Sequence, residues 1–175
     1  MTLKGTEALE AAEKGAPLIV WRDEWDLGIP SMDRDHRILV SLINQIPTAL
    51  GDAEERVILS SVLNGLWDYT DFHFAREQAV LAAAGYAHGE EHGVRHEDLK
   101  AKVRAYVEAY ATDPAGVNLA ELLDFMEHWL IDHILVEDMR YVHAVRSCPG
   151  AEAAAERVQL VDDSDVAGLF ALLEA

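Results

Sequence analysis

Four long segments of the chain carry apolar residues at every third or fourth position, and short stretches containing glycine or proline separate them. This period aligns the apolar side chains along one face of an α-helix. Capping residues and helix-breaking residues set the expected limits. The predicted helices run from just after Pro30 and Ser31 to Gly51, from Asp52 to before Gly85, from about His88 to Tyr110, and from Asn118 to Pro149.

Amphipathic helices joined by short connections pack against their chain neighbours in antiparallel order. We therefore expect an all-α fold, an up-down-up-down antiparallel four-helix bundle with an N-terminal arm and a short helical C-terminal extension. Residues 1–20 would form the arm, residues 21–146 the bundle and residues 147–175 the extension. Within the extension, the sequence predicts one helix after Gly150 and a short amphipathic helix at the end of the chain.

Composition narrows the classes of function. The length of 175 residues suits one domain with a hydrophobic core. A formal net charge of −18 argues against nucleic acid or an anionic membrane surface as a partner, because both carry the same sign, and it is compatible with cation binding. The single cysteine, Cys148, and a start without the apolar core of a signal peptide lead us to expect a cytoplasmic protein. The sequence contains no apolar run of about 18 residues, so we expect no membrane span.

Five of the eight histidines and two acidic residues fall on the four predicted helices with the spacing of metal ligands: His36, His73, Glu77, His92, His96, His133 and Asp138. Two pairs are spaced four residues apart, which places both members on one side of a helix. A single histidine of this kind is more often a surface residue or a hydrogen-bonded core residue, but burying five unpaired imidazoles by chance would be too costly. Imidazole suits iron and carboxylates can bridge two cations, so the set predicts a shell for two iron ions. The remaining histidines are expected at the surface: His88, His128 and His143.

Asp138 fits helical geometry less well than the other six. It lies five residues after His133, about 140° around an ideal helix, and the spacing alone favours Glu137. A local π-helical widening, which is common at functional sites, would turn Asp138 inward.

These residues and their spacing resemble the hemerythrin family, and specifically its bacterial branch. The family motifs are a tryptophan followed by Gly-Ile and Asp-x-x-His, then His-Phe-x-x-Glu, then Gly-Tyr with His-x-x-x-His, and last Trp-Leu-x-x-His-Ile-x-x-x-Asp. Their counterparts here are Trp21, Gly28, Ile29, Asp33 and His36; His73, Phe74 and Glu77; Gly85, Tyr86, His92 and His96; and Trp129, Leu130, His133, Ile134 and Asp138. The likeness runs from about Trp21 to Val145, and it favours Asp138 over Glu137.

The resemblance implies a bundle that holds two irons, Fe2+ or Fe3+ according to redox state. One iron would have three histidine ligands and the other would have two: His92, His96 and His133 for the first, and His36 and His73 for the second. Glu77, Asp138 and an oxo or hydroxo group would bridge the two ions, and dioxygen would bind at a free position of the second iron. Five imidazoles with only two carboxylates stabilise high-valent iron less than glutamate-rich shells do, so we expect reversible oxygen binding for storage, delivery or scavenging.

The oxygen pocket should exclude water, since water and protons would drive the centre to a dead diferric state. The residues predicted to line it are Leu39, Phe74, Trp129 and Leu130. Each of them is also an ordinary core position, which is an equally good interpretation for the leucines. The sequence departs from the family at two positions that are not ligands: Asp35 stands where glutamine is frequent, and Gln78 where a second glutamate is common.

Two other functions stay open at this point. The same centre could reduce peroxide or nitric oxide, given a redox partner as the source of electrons. Alternatively, the chain could sense oxygen or redox state and signal to a protein partner through the C-terminal apolar residues Val166, Leu169, Phe170, Leu172 and Leu173. The simpler interpretation of that segment is that it covers the bundle.

Overall fold

The computed structural model describes residues 17–50 and 54–159. Six α-helices lie in the described part of the chain: α1 (Pro30–Thr48), α2 (Glu55–Ala83), α3 (Gly89–Thr112), α4 (Leu119–Asp132), α5 (Val142–Arg146) and α6 (Ala151–Glu156). A π-helical turn at His133–Glu137 and a 3₁₀ turn at Asp138–Arg140 join α4 to α5, and further 3₁₀ turns lie at Asp23–Trp25 and Pro114–Gly116. The fold is the predicted all-α, up-down-up-down four-helix bundle. In the described ranges, no helix combines the length and apolar composition that crossing a membrane requires.

Several helix ends follow signals that the sequence contains. Asn118 caps α4 as predicted, because its Oδ1 accepts hydrogen bonds from backbone N–H groups two and three residues later, at 3.1 and 3.3 Å. After α2, Gly85 adopts a left-handed φ of 62°, and Tyr86 N donates to Leu81 O at 3.0 Å. This pattern satisfies carbonyl groups that the end of a helix would otherwise leave unpaired.

Other ends differ from the prediction. Helix α1 ends at Thr48 rather than at Gly51, and Leu50 N then donates to Pro47 O at 3.3 Å in a tighter turn. Helix α3 continues past Tyr110 to Thr112. The predicted caps at Gly51 and Asp52 lie outside the described residues.

The carboxylate of Asp33 fixes the start of α1, the helix that carries His36. Asp33 accepts hydrogen bonds from Leu27 N at 2.6 Å and from Ile29 N at 3.1 Å. Gly28, between these two residues, has a left-handed φ of 64° that a residue with a side chain would adopt only under strain. The Gly-Ile and Asp positions of the opening motif therefore form one turn that sets the start of the first helix.

The two ends of the described chain pack on the bundle. Ile19 is buried, and its N–H and C=O exchange hydrogen bonds of 2.8 Å with the side chain of Asn44 on α1. Helix α6, which follows Gly150 as predicted, contacts α2 and α1 and buries Ala154 and Ala155. Residues 1–16 and 160–175, with the predicted terminal helix, lie outside the described residues. The division into arm, bundle and extension stays a prediction.

Candidate metal centre

The structure brings together all seven side chains that the sequence predicts as metal ligands. Helix α1 supplies one, α2 two, α3 two, and the turns after α4 the last two: His36; His73 and Glu77; His92 and His96; His133 and Asp138. Every one of them is at most 4% exposed. The ligands of α1, α2 and α3 meet because each lies on the apolar face of its helix, and the apolar faces pack together.

Glu77 lies at the middle of a first group of donor atoms. Its Oε1 is 2.9 Å from His92 Nε2, and its Oε2 is 3.2 Å from His96 Nε2. The Nε2 atoms of His96 and His133 are 3.1 Å apart. One donor atom from each of these four residues lies within 4.8 Å of the others, a spacing that could hold a metal ion.

The remaining side chains extend this group. His36 Nε2 lies 3.3 Å from Asp138 Oδ2, and His73 Nε2 lies 3.6 Å from Glu77 Oε2. Asp138 also reaches the first group, since its Oδ1 is 3.2 Å from His133 Nε2. Each carboxylate thus faces histidines on both sides, an arrangement that suits two neighbouring cations.

A π-helical turn at His133–Glu137 directs Asp138 into the bundle. Asp138 is fully buried, whereas Glu137 points to the surface and forms ion pairs with Arg95 and, at 2.8 Å, with Arg140. Ideal helical spacing favours Glu137, but the extra residue of the π turn shifts the inward direction by one position. The structure therefore contains the widening that an inward Asp138 requires.

The assignment of Asp138 rather than Glu137 can be tested directly. We expect Asp138→Asn to bind less iron per chain than the wild type, because a neutral amide replaces a buried carboxylate that faces His36 and His133. The matched variant Glu137→Gln should keep the iron content of the wild type, since it removes only the ion pairs with Arg95 and Arg140, which lie outside the centre. Iron per chain after anaerobic reconstitution is the measurement, and equal iron loss in the two variants would contradict the assignment.

Burial and mutual interaction set the protonation of the centre. Burial raises the pKa of Glu77, but the neighbouring imidazoles, His96 foremost, outweigh this and hold the pKa well below its ordinary value. Burial and the charge of Glu77 raise the pKa of Asp138 well above its ordinary value. Burial lowers the pKa of His36 and of His73, which keeps both imidazoles neutral. Neutral imidazole is the form that binds metal.

The polar atoms of the centre support a bound metal. Within the described residues, seven atoms that face the centre are buried without a hydrogen-bond partner: Nε2 of His36, of His73 and of His92, and both carboxylate oxygens of Glu77 and of Asp138. Unpaired buried polar atoms are costly, and most have a partner in native proteins. Imidazole nitrogens and carboxylate oxygens suit iron, so these residues fit a pair of iron ions.

The predicted pocket-lining residues differ in how closely they contact the centre. Phe74 is buried, stacks on His96 with ring centroids 3.7 Å apart, and lies 5.5 Å from the ring of His133. Trp129 is buried one layer further out and meets Phe74 edge-on at 6.4 Å. The other two predicted lining residues, Leu39 and Leu130, are buried in the core. Their place in an oxygen pocket stays a prediction.

The sequence analysis did not single out Tyr141, which the structure places beside the centre. Its side chain is fully buried, and its ring lies 5.6 Å from that of His92. Burial and the charges of Asp138 and Glu77 raise the pKa of its hydroxyl group well above the ordinary value. Its position three residues after Asp138 could have drawn attention to it, but the turn that brings it inward has no signature in the helical period. The three histidines expected at the surface are exposed or half-exposed: His88, His128 and His143.

Comparison with known proteins gives a consistent result. A sequence model described as the hemerythrin HHE cation binding domain matches residues 27–145. A bacteriohemerythrin of Pseudomonas aeruginosa is 35% identical over 129 residues, which cover 73% of this chain and 82% of that protein. A bacteriohemerythrin of Clostridium acetobutylicum is 29% identical over 128 residues, 71% of this chain and 99% of that protein. The crystal structure of a hemerythrin point mutant shares the fold, with a TM-score of 0.67 and 22% identity over 74% of this chain and 98% of the other.

Proposed function

The chain belongs to the hemerythrin family, and from this membership and its buried histidine centre we propose that it binds dioxygen reversibly at a non-heme di-iron site. Such binding would serve to store, deliver or scavenge oxygen. The observation that carries the proposal is the ligand set: five buried imidazoles converge with only two carboxylates. Fewer anionic ligands stabilise high-valent iron less, which favours oxygen binding over oxidation of a substrate.

The proposed assignment of residues follows the two groups of donor atoms. The first iron would be held by three histidines and the second by two: His92, His96 and His133, then His36 and His73. Glu77 and Asp138 face both groups and would keep the two ions together. When bound, a pair of ferrous ions supplies two electrons that dioxygen can take up and return.

The surrounding residues would protect this exchange. Phe74 covers the rings of His96 and His133. Leu39 lies one helical turn after His36, and Leu130 lies one turn before His133. Both leucine side chains are almost entirely buried in the core. Such packing excludes water, and water together with protons would favour irreversible oxidation of the centre.

Oxygen uptake distinguishes a carrier from an enzyme. Protein loaded with two irons per chain and reduced without oxygen should take up about one dioxygen for each pair of irons, as expected for one site per di-iron centre. Uptake should then stop even with excess ascorbate present, because a carrier holds its ligand without turnover. An oxygen electrode gives this measurement, and continued consumption at a steady rate would contradict the proposal.

A surface groove favours reduction of peroxide or nitric oxide as a second candidate function. The groove, about 1030 Å³ in volume, lies between α3 and α4 and reaches His133 and Trp129. Phe125 contributes to an apolar wall, and the charged residues of the lining include two basic and five acidic side chains: Arg95 and Lys102, and Asp98, Glu121, Asp124, Asp132 and Glu137. An electron donor could therefore approach the ring of a proposed iron ligand. Steady-state turnover of peroxide or nitric oxide with a reductant would establish this function in place of oxygen carriage.

A further inference from the structure

A second buried carboxylate lies behind one of the proposed ligands. His73 directs its Nε2 towards Glu77 Oε2, 3.6 Å away, and its Nδ1 towards Asp35 Oδ2, 3.5 Å away. Asp35 is fully buried, although it directly precedes His36 on α1 and is not itself a predicted ligand. The imidazole of His73 is thus placed between a carboxylate of the centre and a carboxylate outside it.

Two side chains of α2 hold Asp35 in this position. Arg76 Nη1 donates to both carboxylate oxygens, at 2.8 and 3.0 Å, and the hydroxyl group of Tyr69 donates to Oδ1 at 2.9 Å. Arg76 is itself buried, and its guanidinium stays protonated in proteins, so it pairs with the ionised form of Asp35. Asp35 is therefore an anion with a fixed orientation.

The corresponding group on the other side of the centre is neutral. The amide of Gln78 lies 3.4 Å from His96 Nδ1. In the orientation that satisfies both ends of this amide, its nitrogen donates to Gly89 O at 3.3 Å and its oxygen accepts from Gly93 N at 3.2 Å. That orientation directs the oxygen to His96. Each proposed iron thus has one histidine ligand whose Nδ1 faces a polar side chain. That side chain is the charged Asp35 at His73 and the uncharged Gln78 at His96.

We propose that Asp35, held by Arg76 and Tyr69, is a positioning residue that orients His73 through Nδ1 and strengthens metal binding at the two-histidine site. The inference rests on the proposed di-iron centre. A ligand imidazole that donates its second N–H to a carboxylate has a fixed ring orientation and is a stronger base. Loss of such a partner typically weakens metal binding about 10–100-fold.

The competing interpretation is that Asp35 only pairs with Arg76 to tie α1 to α2. A single Asp35→Asn change would not separate the two, because it leaves the buried guanidinium without its anion and can destabilise the fold. The double variant Asp35→Asn with Arg76→Met removes both charges at similar volume, a change that proteins often tolerate. Tyr69→Phe weakens the support of Asp35 while keeping its charge.

Cobalt(II) titration of metal-free protein against a chromophoric chelator tests the proposal. In the wild type we expect two ions per chain. The double variant should bind one of them about 10–100-fold more weakly and the other with unchanged affinity. Tyr69→Phe should weaken the binding of the same ion by a smaller factor. Gln78→Ala should weaken the binding of the other ion. In the cobalt-loaded protein, the exchangeable Nδ1–H proton of His73 should give a paramagnetically shifted NMR signal that moves in the double variant.

A structural role would not produce this asymmetry. Two cobalt ions bound with wild-type affinity in the double variant, or two ions weakened equally, would overturn the role of Asp35 while leaving the di-metal centre intact. Wild-type protein that binds fewer than two ions would instead contradict the centre itself, and this inference with it. Thermal unfolding of each metal-free variant shows separately whether the fold is retained.

Discussion

Replacing Glu77 by glutamine is expected to remove both irons and every response to oxygen. The carboxylate of Glu77 lies 2.9 Å from His92 Nε2, 3.2 Å from His96 Nε2 and 3.6 Å from His73 Nε2, so it faces both sides of the centre. Glutamine fills the same space but carries no charge, and its amide nitrogen cannot bind a cation. We expect the loss of iron affinity to exceed about 100-fold, the upper range for removing an outer partner of a ligand.

Iron per chain after anaerobic reconstitution and desalting measures this effect. Asp71→Asn is the matched control, because Asp71 lies on the same helix but is exposed and pairs with Lys100 at 2.6 Å. That variant should retain two irons. Circular dichroism should show the same helix content in both variants, so that loss of iron reflects the centre rather than the fold. Retention of two irons in Glu77→Gln would contradict the assignment of Glu77.

Iron loading is expected to raise the unfolding temperature by about 15–30 °C. An ion present at a thousand times its dissociation constant stabilises the folded state by about 4 kcal/mol, and two such ions by about 8 kcal/mol. In a protein of this size, each kcal/mol shifts the midpoint by about 2–4 °C. Bound iron would also satisfy the Nε2 atoms of His36 and His73 and the carboxylate oxygens of Glu77 and Asp138, which lack hydrogen bonds within the described residues.

Thermal unfolding of anaerobic protein, with ferrous iron and with a chelator, measures this shift. His128→Asn is the control, since His128 lies partly exposed on α4 outside the centre and should leave the shift intact. His96→Asn should reduce the shift strongly, because it removes a buried donor atom. An unfolding temperature that does not depend on iron would show that the metal ions do not bind the folded state in preference to the unfolded chain.

The helical period predicted the fold because every ligand except Asp138 continues an apolar stripe that must be buried. His73 and Glu77 extend the apolar face of α2, and His92 and His96 begin that of α3. Burying these faces against one another brings the ligands together without further information. The helix ends were less predictable: Gly85 provides a local signal, whereas α1 ends earlier than the glycine in its sequence indicated.

Asp138 shows where the period alone is insufficient. A regular helix would turn Glu137 inward, and only the resemblance to a known family favoured Asp138. The π turn is accompanied by a contact between helices, the ion pair of Glu137 with Arg95 on α3. Such a contact between two helices cannot be predicted from the pattern of apolar residues along one segment.

The network behind His73 was equally hidden. Asp35 was visible in the sequence only as a departure from the family, and Arg76 as one more charged residue on a helix. Their burial depends on pairing across α1 and α2, because each satisfies the charge of the other. Tyr69 joins them through its hydroxyl group. Tertiary pairing of this kind leaves no periodic signature in either segment.

Reversible binding of oxygen is the central claim, and visible absorption tests it most directly. Protein with two irons per chain would be reduced without oxygen, exposed to oxygen and then stripped with argon over several cycles. The account predicts an absorption band that appears with oxygen and disappears when oxygen is removed, with little loss per cycle. Immediate conversion to a stable oxidised form, whose spectrum persists after oxygen is removed, would contradict it.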